Sequence, residues 1–126
     1  MLSMSFMCLC FIGYTQNLEK QLVGRWEMHK VIQDGNDVTA EHNPESNRFF
    51  IFKDDGTFES GGDPYGPNSG RYFVNNLHSC LYIDSAVGHE DDSMWYIKIE
   101  GNQLKWQGFG TKWAERFVVI NTKSRE

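Results

Sequence analysis

The chain has little that could cross-link it and few groups that could hold nucleic acid. Its 126 residues include three cysteines, of which Cys8 and Cys10 lie near the amino terminus. If that terminus is removed, Cys80 is left alone and an internal disulfide is excluded, so the core must stabilise the fold. Seventeen acidic residues outnumber twelve basic ones, and the net charge of −5 argues against nucleic acid and anionic membranes as partners.

Motifs that carry catalysis or hold metals are also missing. The histidines are not spaced to converge on a metal; they are His29, His42, His78 and His89. There is no nucleophile elbow, phosphate-binding loop or dinucleotide fingerprint, and the run from His89 to Asp92 lacks the spacing of a calcium loop. Cys80 has no adjacent histidine, which favours a buried, inert thiol. We therefore expect no catalytic residues, no metal and no cofactor.

The amino-terminal stretch Met1–Gln16 carries no charge. It is too short for a membrane span of about 20 apolar residues, but it suits the hydrophobic region of a secretory signal. It lacks the usual preceding Lys or Arg, and the alternative is a short helix or strand docked on the domain. We expect a signal over residues 1–16, one domain over residues 17–126, and export to the periplasm or cell exterior. Without a signal, the protein would be cytoplasmic and still have no membrane span.

From Leu22 onward, apolar and polar residues alternate with a period of two, which predicts strands. Two such runs, 48–53 and 57–60, flank Asp54-Asp55-Gly56, a strong hairpin signal because glycine tolerates the backbone of the turn. The other predicted strands cover residues 22–33, 70–75, 79–84, 93–100, 103–109 and 112–120. Eight strands joined mostly by tight turns predict an all-β fold, an eight-stranded antiparallel up-and-down barrel.

Gly24 and Trp26 open the first predicted strand. The indole of Trp26 suits a plug that fills one end of a small barrel. Gly24 lacks Cβ and would let another backbone approach closely where the barrel narrows. The plainer alternative is an ordinary buried tryptophan on an edge strand.

Four motifs in a fixed order carry a resemblance to a known family: Gly24-x-Trp26, Phe50-x-Phe52-Lys53-Asp54-Asp55-Gly56-Thr57-Phe58, Gly70-x-Tyr72 and Gly101-Asn102-x-Leu104-x-Trp106. Over residues 18–121 the chain resembles the small bacterial lipocalin-like proteins of the calycin group. The resemblance implies a lipocalin-like barrel, often exported, whose interior holds an apolar small molecule such as a lipid. It also implies an arginine from the last strand over the tryptophan. Arg116 is the candidate, and the alternative is that Val119 occupies the matching position.

Alternation from Trp26 predicts which side chains face the interior. The expected ligand-binding residues are Met28, Phe50, Phe52, Phe58, Tyr72, Trp106, Glu115 and Phe117. Tyr72 and Glu115 would be the polar groups that orient the ligand. An eight-stranded barrel is either filled by its side chains or holds one small ligand, and the sequence leaves both open.

Three classes of function follow. The favoured class is a non-catalytic carrier or sensor of a small apolar molecule. The second is a filled barrel, outside the cell or in its envelope, that binds a protein through its loops; exposed Tyr65, Trp95 or Trp113 on one side would mark it. The third is an enzyme at the barrel mouth, but alternation points Glu27 and His29 outward. A haem-binding barrel is not expected, because the last three predicted strands contain no histidine.

Overall fold

The computed structural model describes residues 17–88 and 92–124, and the expected signal segment lies outside them. The helices are α1 (Leu18–Leu22) and α2 (Thr39–His42), and a 3-10 turn spans Ala114–Arg116. The strands are β1 (Gly24–Gln33), β2 (Asn36–Asp37), β3 (Phe49–Phe52), β4 (Thr57–Gly61), β5 (Asn68–Asn75), β6 (Cys80–Ser85), β7 (Ser93–Glu100), β8 (Gln103–Phe109) and β9 (Phe117–Lys123). No helix in these ranges is long and apolar enough to cross a membrane.

The sheet of the described residues closes on itself. All pairings are antiparallel, and the strand order is β1-β3-β4-β5-β6-β7-β8-β9. β9 returns to β1, from the pair Trp26 and Lys123 to the pair Gln33 and Phe117. The two-residue β2 only extends the end of β1. Closure leaves no long free edge, and the predicted eight-stranded up-and-down barrel is confirmed.

The hairpin at residues 53–57 shows how local chemistry sets the register. Phe52 pairs with Phe58, and Gly56 adopts a φ of +86°. One carboxylate oxygen of Asp55 accepts hydrogen bonds from the Thr57 amide at 3.0 Å and the Thr57 hydroxyl at 2.6 Å. These bonds hold the pKa of Asp55 below its usual value, and they fix the turn that the sequence predicts.

Two predicted strands begin later than expected. The first was predicted from Leu22, but α1 precedes it, with Asn17 Oδ1 accepting from the Lys20 amide at 3.2 Å. The last was predicted from Lys112, but the 3-10 turn delays β9 to Phe117. In both segments the backbone forms a helical turn instead of continuing the strand, and the strand begins where its backbone pairs with a neighbouring strand.

The two ends of the barrel differ. At the end where β1 begins, Leu18 and Leu22 of α1 are buried, and the Trp26 indole N–H donates to the Leu22 carbonyl at 2.8 Å. The Leu18 amide donates to Asn76 Oδ1 at 2.8 Å, which ties α1 to the loop after β5. We call this the closed end. The opposite end, where β1 finishes and β9 begins, we call the open end.

Candidate functional site

The closed end contains the predicted plug, but with an unpredicted cation. Trp26 is 1% exposed, and Lys123 Nζ lies 4.9 Å from an indole ring centre while donating to the Val23 carbonyl at 2.7 Å. Gly24 has a φ of +132°, and a Cβ there would come within 2.8 Å of the Lys123 side chain. The close approach therefore involves a lysine side chain, where the sequence predicted another backbone.

Arg116, predicted to cover Trp26, belongs to the open end instead. Its Nη2 lies 2.8 Å from Asp34 Oδ2, and its guanidinium carbon lies 4.9 Å from the Trp113 ring centre. The hydrogen bond to Asp34 raises the pKa of Arg116. The prediction is wrong because Arg116 lies in the 3-10 turn before β9, at the far end of the strand from Lys123.

A cavity of about 550 Å³ opens at the open end. Its aromatic wall includes Phe50, Phe58, Trp95, Trp106, Trp113 and Phe117, with Phe49 and Tyr65 beside them. Aliphatic wall residues include Met28, Val31, Ile83 and Val119. Cavities of roughly 300–1,000 Å³ with mostly apolar walls are the usual size for small-molecule sites. The barrel is thus filled in its closed half and hollow in its open half.

The structure brings together some of the predicted ligand-binding residues and separates others. Met28, Phe50, Phe58, Trp106 and Phe117 line the cavity. Their shared wall follows from alternation along neighbouring strands, which turns side chains of one parity to the interior. The remaining three predicted residues lie outside it.

Phe52 and Tyr72 face inward but fill the closed half. Their rings meet edge to face with centroids 4.9 Å apart, and the Tyr72 hydroxyl donates to the Lys53 carbonyl at 2.5 Å. Burial raises the pKa of the Tyr72 phenol. Because this hydroxyl is already bonded to the backbone, Tyr72 does not orient a ligand in the open-end cavity.

Glu115, the other predicted orienting group, is exposed and absent from the cavity wall. It lies in the 3-10 turn, where its amide donates to the Thr111 carbonyl at 3.1 Å. A turn does not continue the alternation of β9, so the prediction for Glu115 is wrong. Glu27 and His29 are exposed, as alternation predicted.

Sequence reasoning missed the polar side chains at the cavity mouth. Arg48 lines the cavity with its guanidinium carbon 4.5 Å from the Tyr65 ring centre, and its Nη1 donates to the His42 carbonyl at 3.0 Å. His42 Nδ1 and the Tyr65 hydroxyl are 3.1 Å apart. Burial lowers the pKa of Arg48. The sequence does contain a pattern that predicts the direction of Arg48. Arg48 lies two residues before Phe50, so the alternation that turns Phe50 inward also turns Arg48 inward.

Asn43 holds Arg48 in place. This amide is 3% exposed; its Nδ2 donates to the Met28 carbonyl at 3.0 Å, and its Oδ1 accepts from the Arg48 amide at 3.1 Å. The Met28 amide in turn donates to the Arg48 carbonyl at 3.0 Å. Ladder pairing between β1 and β3 runs from Gly24 to Glu27 only, so Asn43 fastens the next segment where the ladder ends.

Two buried polar atoms in the described residues lack a hydrogen-bond partner: Trp106 Nε1 and Asn121 Oδ1. Asn121 pairs with Leu104 on β8, and Trp106 pairs with Val119, so the two side chains are diagonal neighbours on the inner face. Leaving such groups unbonded costs about 1–3 kcal/mol each. Trp106 also lines the cavity, but this nitrogen is itself buried from solvent.

Residues 17–88 and 92–124 contain no group of three or more His, Cys, Asp or Glu side chains placed to hold a metal. Of the acidic run considered above, residues 89–91 lie outside the described part. Asp92 accepts hydrogen bonds from the Ser85 amide at 2.8 Å and from the Tyr82 hydroxyl at 3.2 Å. It therefore fastens the loop between β6 and β7.

Comparison with known proteins identifies the class of fold. The family model of the lipocalin-like domain matches residues 22–106, and the chain belongs to this family. Among solved structures, a DUF4847 family protein from Bacteroides vulgatus ATCC 8482 aligns with a TM-score of 0.64 and 13% identity, over 87% of this chain and 99% of the other. At that identity the likeness shows the fold alone. Comparison with curated proteins gives no match.

Proposed function

We propose that the protein is a non-catalytic carrier or sensor that binds a small apolar molecule in the open-end cavity. One observation carries the proposal: a barrel sealed at one end by Trp26 and α1 has a hollow of about 550 Å³ at the other. Membership of the lipocalin-like family supports a small-molecule-binding barrel. With the predicted signal over residues 1–16, the binding would take place outside the cytoplasm.

The wall of the cavity suits an apolar ligand. Trp106 is in ring contact with Phe50 at 4.9 Å and with Trp95 at 5.4 Å, and the Trp95 N–H donates to Ser93 Oγ at 2.8 Å. These contacts hold the rings in place before a ligand enters, which lowers the entropy cost of binding. Each ligand methylene transferred from water onto such a wall contributes about 0.8 kcal/mol.

The side chains around the cavity also favour binding over catalysis. Among the described residues that line it, His42 is the imidazole, and its Nδ1 is engaged with Tyr65; none of the lining residues is a carboxylate or a cysteine. Ser60 and Ser93 also line the cavity, but in the described part of the chain no hydrogen bond joins either hydroxyl to His42, so no serine is paired with a general base there. Cys80 lies away from this cavity, and burial raises the pKa of its thiol, which disfavours the reactive thiolate.

A pair of adjacent substitutions tests the proposal. Val119 is 5% exposed and lines the cavity, whereas the side chain of Val118 points to the other face of β9. Val119→Trp should fill part of the cavity and weaken binding of the neutral fluorophore N-phenyl-1-naphthylamine by about tenfold or more, a change of roughly 1.4 kcal/mol. Val118→Trp should leave binding unchanged. Equal affinities in both variants, or no binding by the wild type, would contradict the proposal.

A second candidate function, binding of a protein partner, is supported by a stripe on the outer face of the barrel. Phe73, Tyr82, Met94 and Phe109 are successive partners across β5 to β8, and Tyr96 stacks on Phe109 with centroids 4.2 Å apart. Phe73 is 51% exposed and Tyr96 is 49% exposed. Exposed apolar patches on soluble proteins often mark interfaces.

The location of this stripe differs from the expected one. Tyr65 and Trp113 are exposed at the open end, where both also line the cavity, whereas Trp95 is half-buried in the cavity wall. Affinity capture from the native host would test the stripe. A defined partner retained by the wild type and lost in Phe73→Ser with Tyr96→Ser would support this function, while unchanged capture would exclude the stripe.

A further inference from the structure

Acidic and basic side chains are not balanced among the residues that line the cavity. None of the described residues that line it is acidic, and Arg48 is its one arginine or lysine. The protein as a whole has more acidic than basic residues, with a net charge of −5. The cavity mouth is therefore positively charged, whereas the protein as a whole is negatively charged.

Arg48 also differs from the other arginines in the described part of the chain. Arg25, Arg71 and Arg116 each lie near a carboxylate, with nitrogen–oxygen distances of 3.5, 3.8 and 2.8 Å respectively. Arg48 has no such ion pair among the residues described. The one hydrogen bond from its side chain goes to the neutral His42 carbonyl, although a guanidinium has five N–H donors.

A half-buried guanidinium without a counter-charge is unfavourable, because burial removes water that would solvate it. Burial accordingly lowers the pKa of Arg48, yet an arginine remains protonated at neutral pH. Its backbone is nevertheless held firmly by Asn43, through the bond between the Arg48 amide and Asn43 Oδ1 at 3.1 Å. The barrel thus presents, at the rim of an apolar hollow, a guanidinium that contacts the His42 carbonyl and the Tyr65 ring but has no acidic partner among the described residues.

We propose that the ligand is an apolar molecule with a single carboxylate, which pairs with Arg48 while the apolar part lies against Trp95 and Trp106. The inference rests on the proposed binding function and names its ligand class. A guanidinium matches a carboxylate with two parallel N–H···O bonds. One cation neutralises one negative charge, whereas a phosphate monoester carries about −1.5 to −2. The single arginine therefore favours a carboxylate over a phosphate.

Dodecanoic acid and dodecan-1-ol test the proposal, because they share a chain and differ at the head group. Affinities would be measured by displacement of N-phenyl-1-naphthylamine at neutral pH. The wild type should bind the acid about tenfold to a hundredfold more tightly than the alcohol, as expected for charge-assisted bonds. Arg48→Gln should abolish this preference and leave the affinity for the alcohol nearly unchanged. Arg48→Lys should retain part of the preference.

The control is Arg71→Gln, which removes an arginine that is paired with Asp84 and does not line the cavity. It should keep the full preference for the acid. Retained affinity for the alcohol shows that each variant is folded. If the wild type binds acid and alcohol equally and Val119→Trp weakens both, the carboxylate proposal is overturned while the binding function stands. If the wild type binds neither compound nor the fluorophore, both proposals are overturned.

Discussion

Truncation of Trp26 to alanine should destabilise the fold far more than loss of the exposed Trp113 indole. Trp26 is 1% exposed, and its N–H donates to the Leu22 carbonyl at 2.8 Å. Lys123 Nζ lies 4.9 Å from its ring centre, and a Cβ built on Gly24 would come within 2.8 Å of the same lysine side chain. The indole therefore connects α1, β1 and β9 at the closed end.

The expected magnitude combines these contacts. Replacement of a buried tryptophan by alanine costs about 3–5 kcal/mol, which includes the lost apolar burial and the cavity that remains. The Leu22 carbonyl loses a hydrogen bond, with a net contribution of about 1 kcal/mol within that range. Small domains are stable by roughly 5–15 kcal/mol, so Trp26→Ala should remove a large part of the total stability.

The assay is urea unfolding of the chain from residue 17 onward, followed by far-UV circular dichroism so that loss of a fluorophore does not affect the signal. Trp113→Ala is the matched control, because Trp113 is 62% exposed and packs on Phe117 with centroids 5.1 Å apart. It should cost about 1 kcal/mol or less. A loss below about 1 kcal/mol for Trp26→Ala, or equal losses in the two variants, would refute the role of Trp26 as a plug.

Three further perturbations have defined outcomes. Asn43→Leu should lower the free energy of unfolding by about 1–3 kcal/mol, because it leaves the Met28 carbonyl and the Arg48 amide without these bonds. Asn121→Leu should cost less, because it removes an unpaired buried Oδ1 and only one long bond, from Asn121 Nδ2 to the Leu104 carbonyl at 3.3 Å. Equal urea midpoints for these two variants would contradict this reasoning. The pKa of Asp55 is lowered in the folded state, so its contribution to stability is present above the ordinary carboxyl pKa and is lost as the pH falls through the folded value. The melting temperature of Asp55→Ala should thus be below that of the wild type at neutral pH and converge with it in acid; a constant difference would argue against this. Burial raises the pKa of Cys80, so at neutral pH iodoacetamide should modify this thiol more slowly in the folded chain than in urea. Mass spectrometry would follow the modification, and equal rates in the two conditions would count against a protected thiol.

Local pattern was sufficient to predict the architecture. A period of two along 93–100 and 103–109 predicted β7 and β8 at their observed bounds, since Gly101 and Asn102 permit the tight turn between them. The turn around Asp55 was equally readable from its residues. Parity from Trp26 also predicted the inward direction of Phe58 and Trp106, because successive side chains of a strand must point to opposite faces.

The ends of strands were less predictable. Arg116 and Glu115 were treated as members of the last strand, but the 3-10 turn breaks the alternation just before β9 begins. Lys123 covers Trp26 because β9 runs past Asn121 and pairs with β1 at that point. Such choices depend on which backbone groups find partners across the barrel, and no local sequence window contains that information.

The sequence by itself determined an all-β chain, its main turns and the parity of its inward residues, because steric preference and side-chain alternation act over a few neighbouring residues. Only the tertiary structure decided that the closed half is filled while the open half holds a cavity of about 550 Å³. It also decided that Arg48 reaches that cavity and that no carboxylate in residues 17–88 and 92–124 pairs with it. Both outcomes depend on how side chains from strands distant in sequence pack together inside the barrel, and on which charged groups that packing brings within reach of one another.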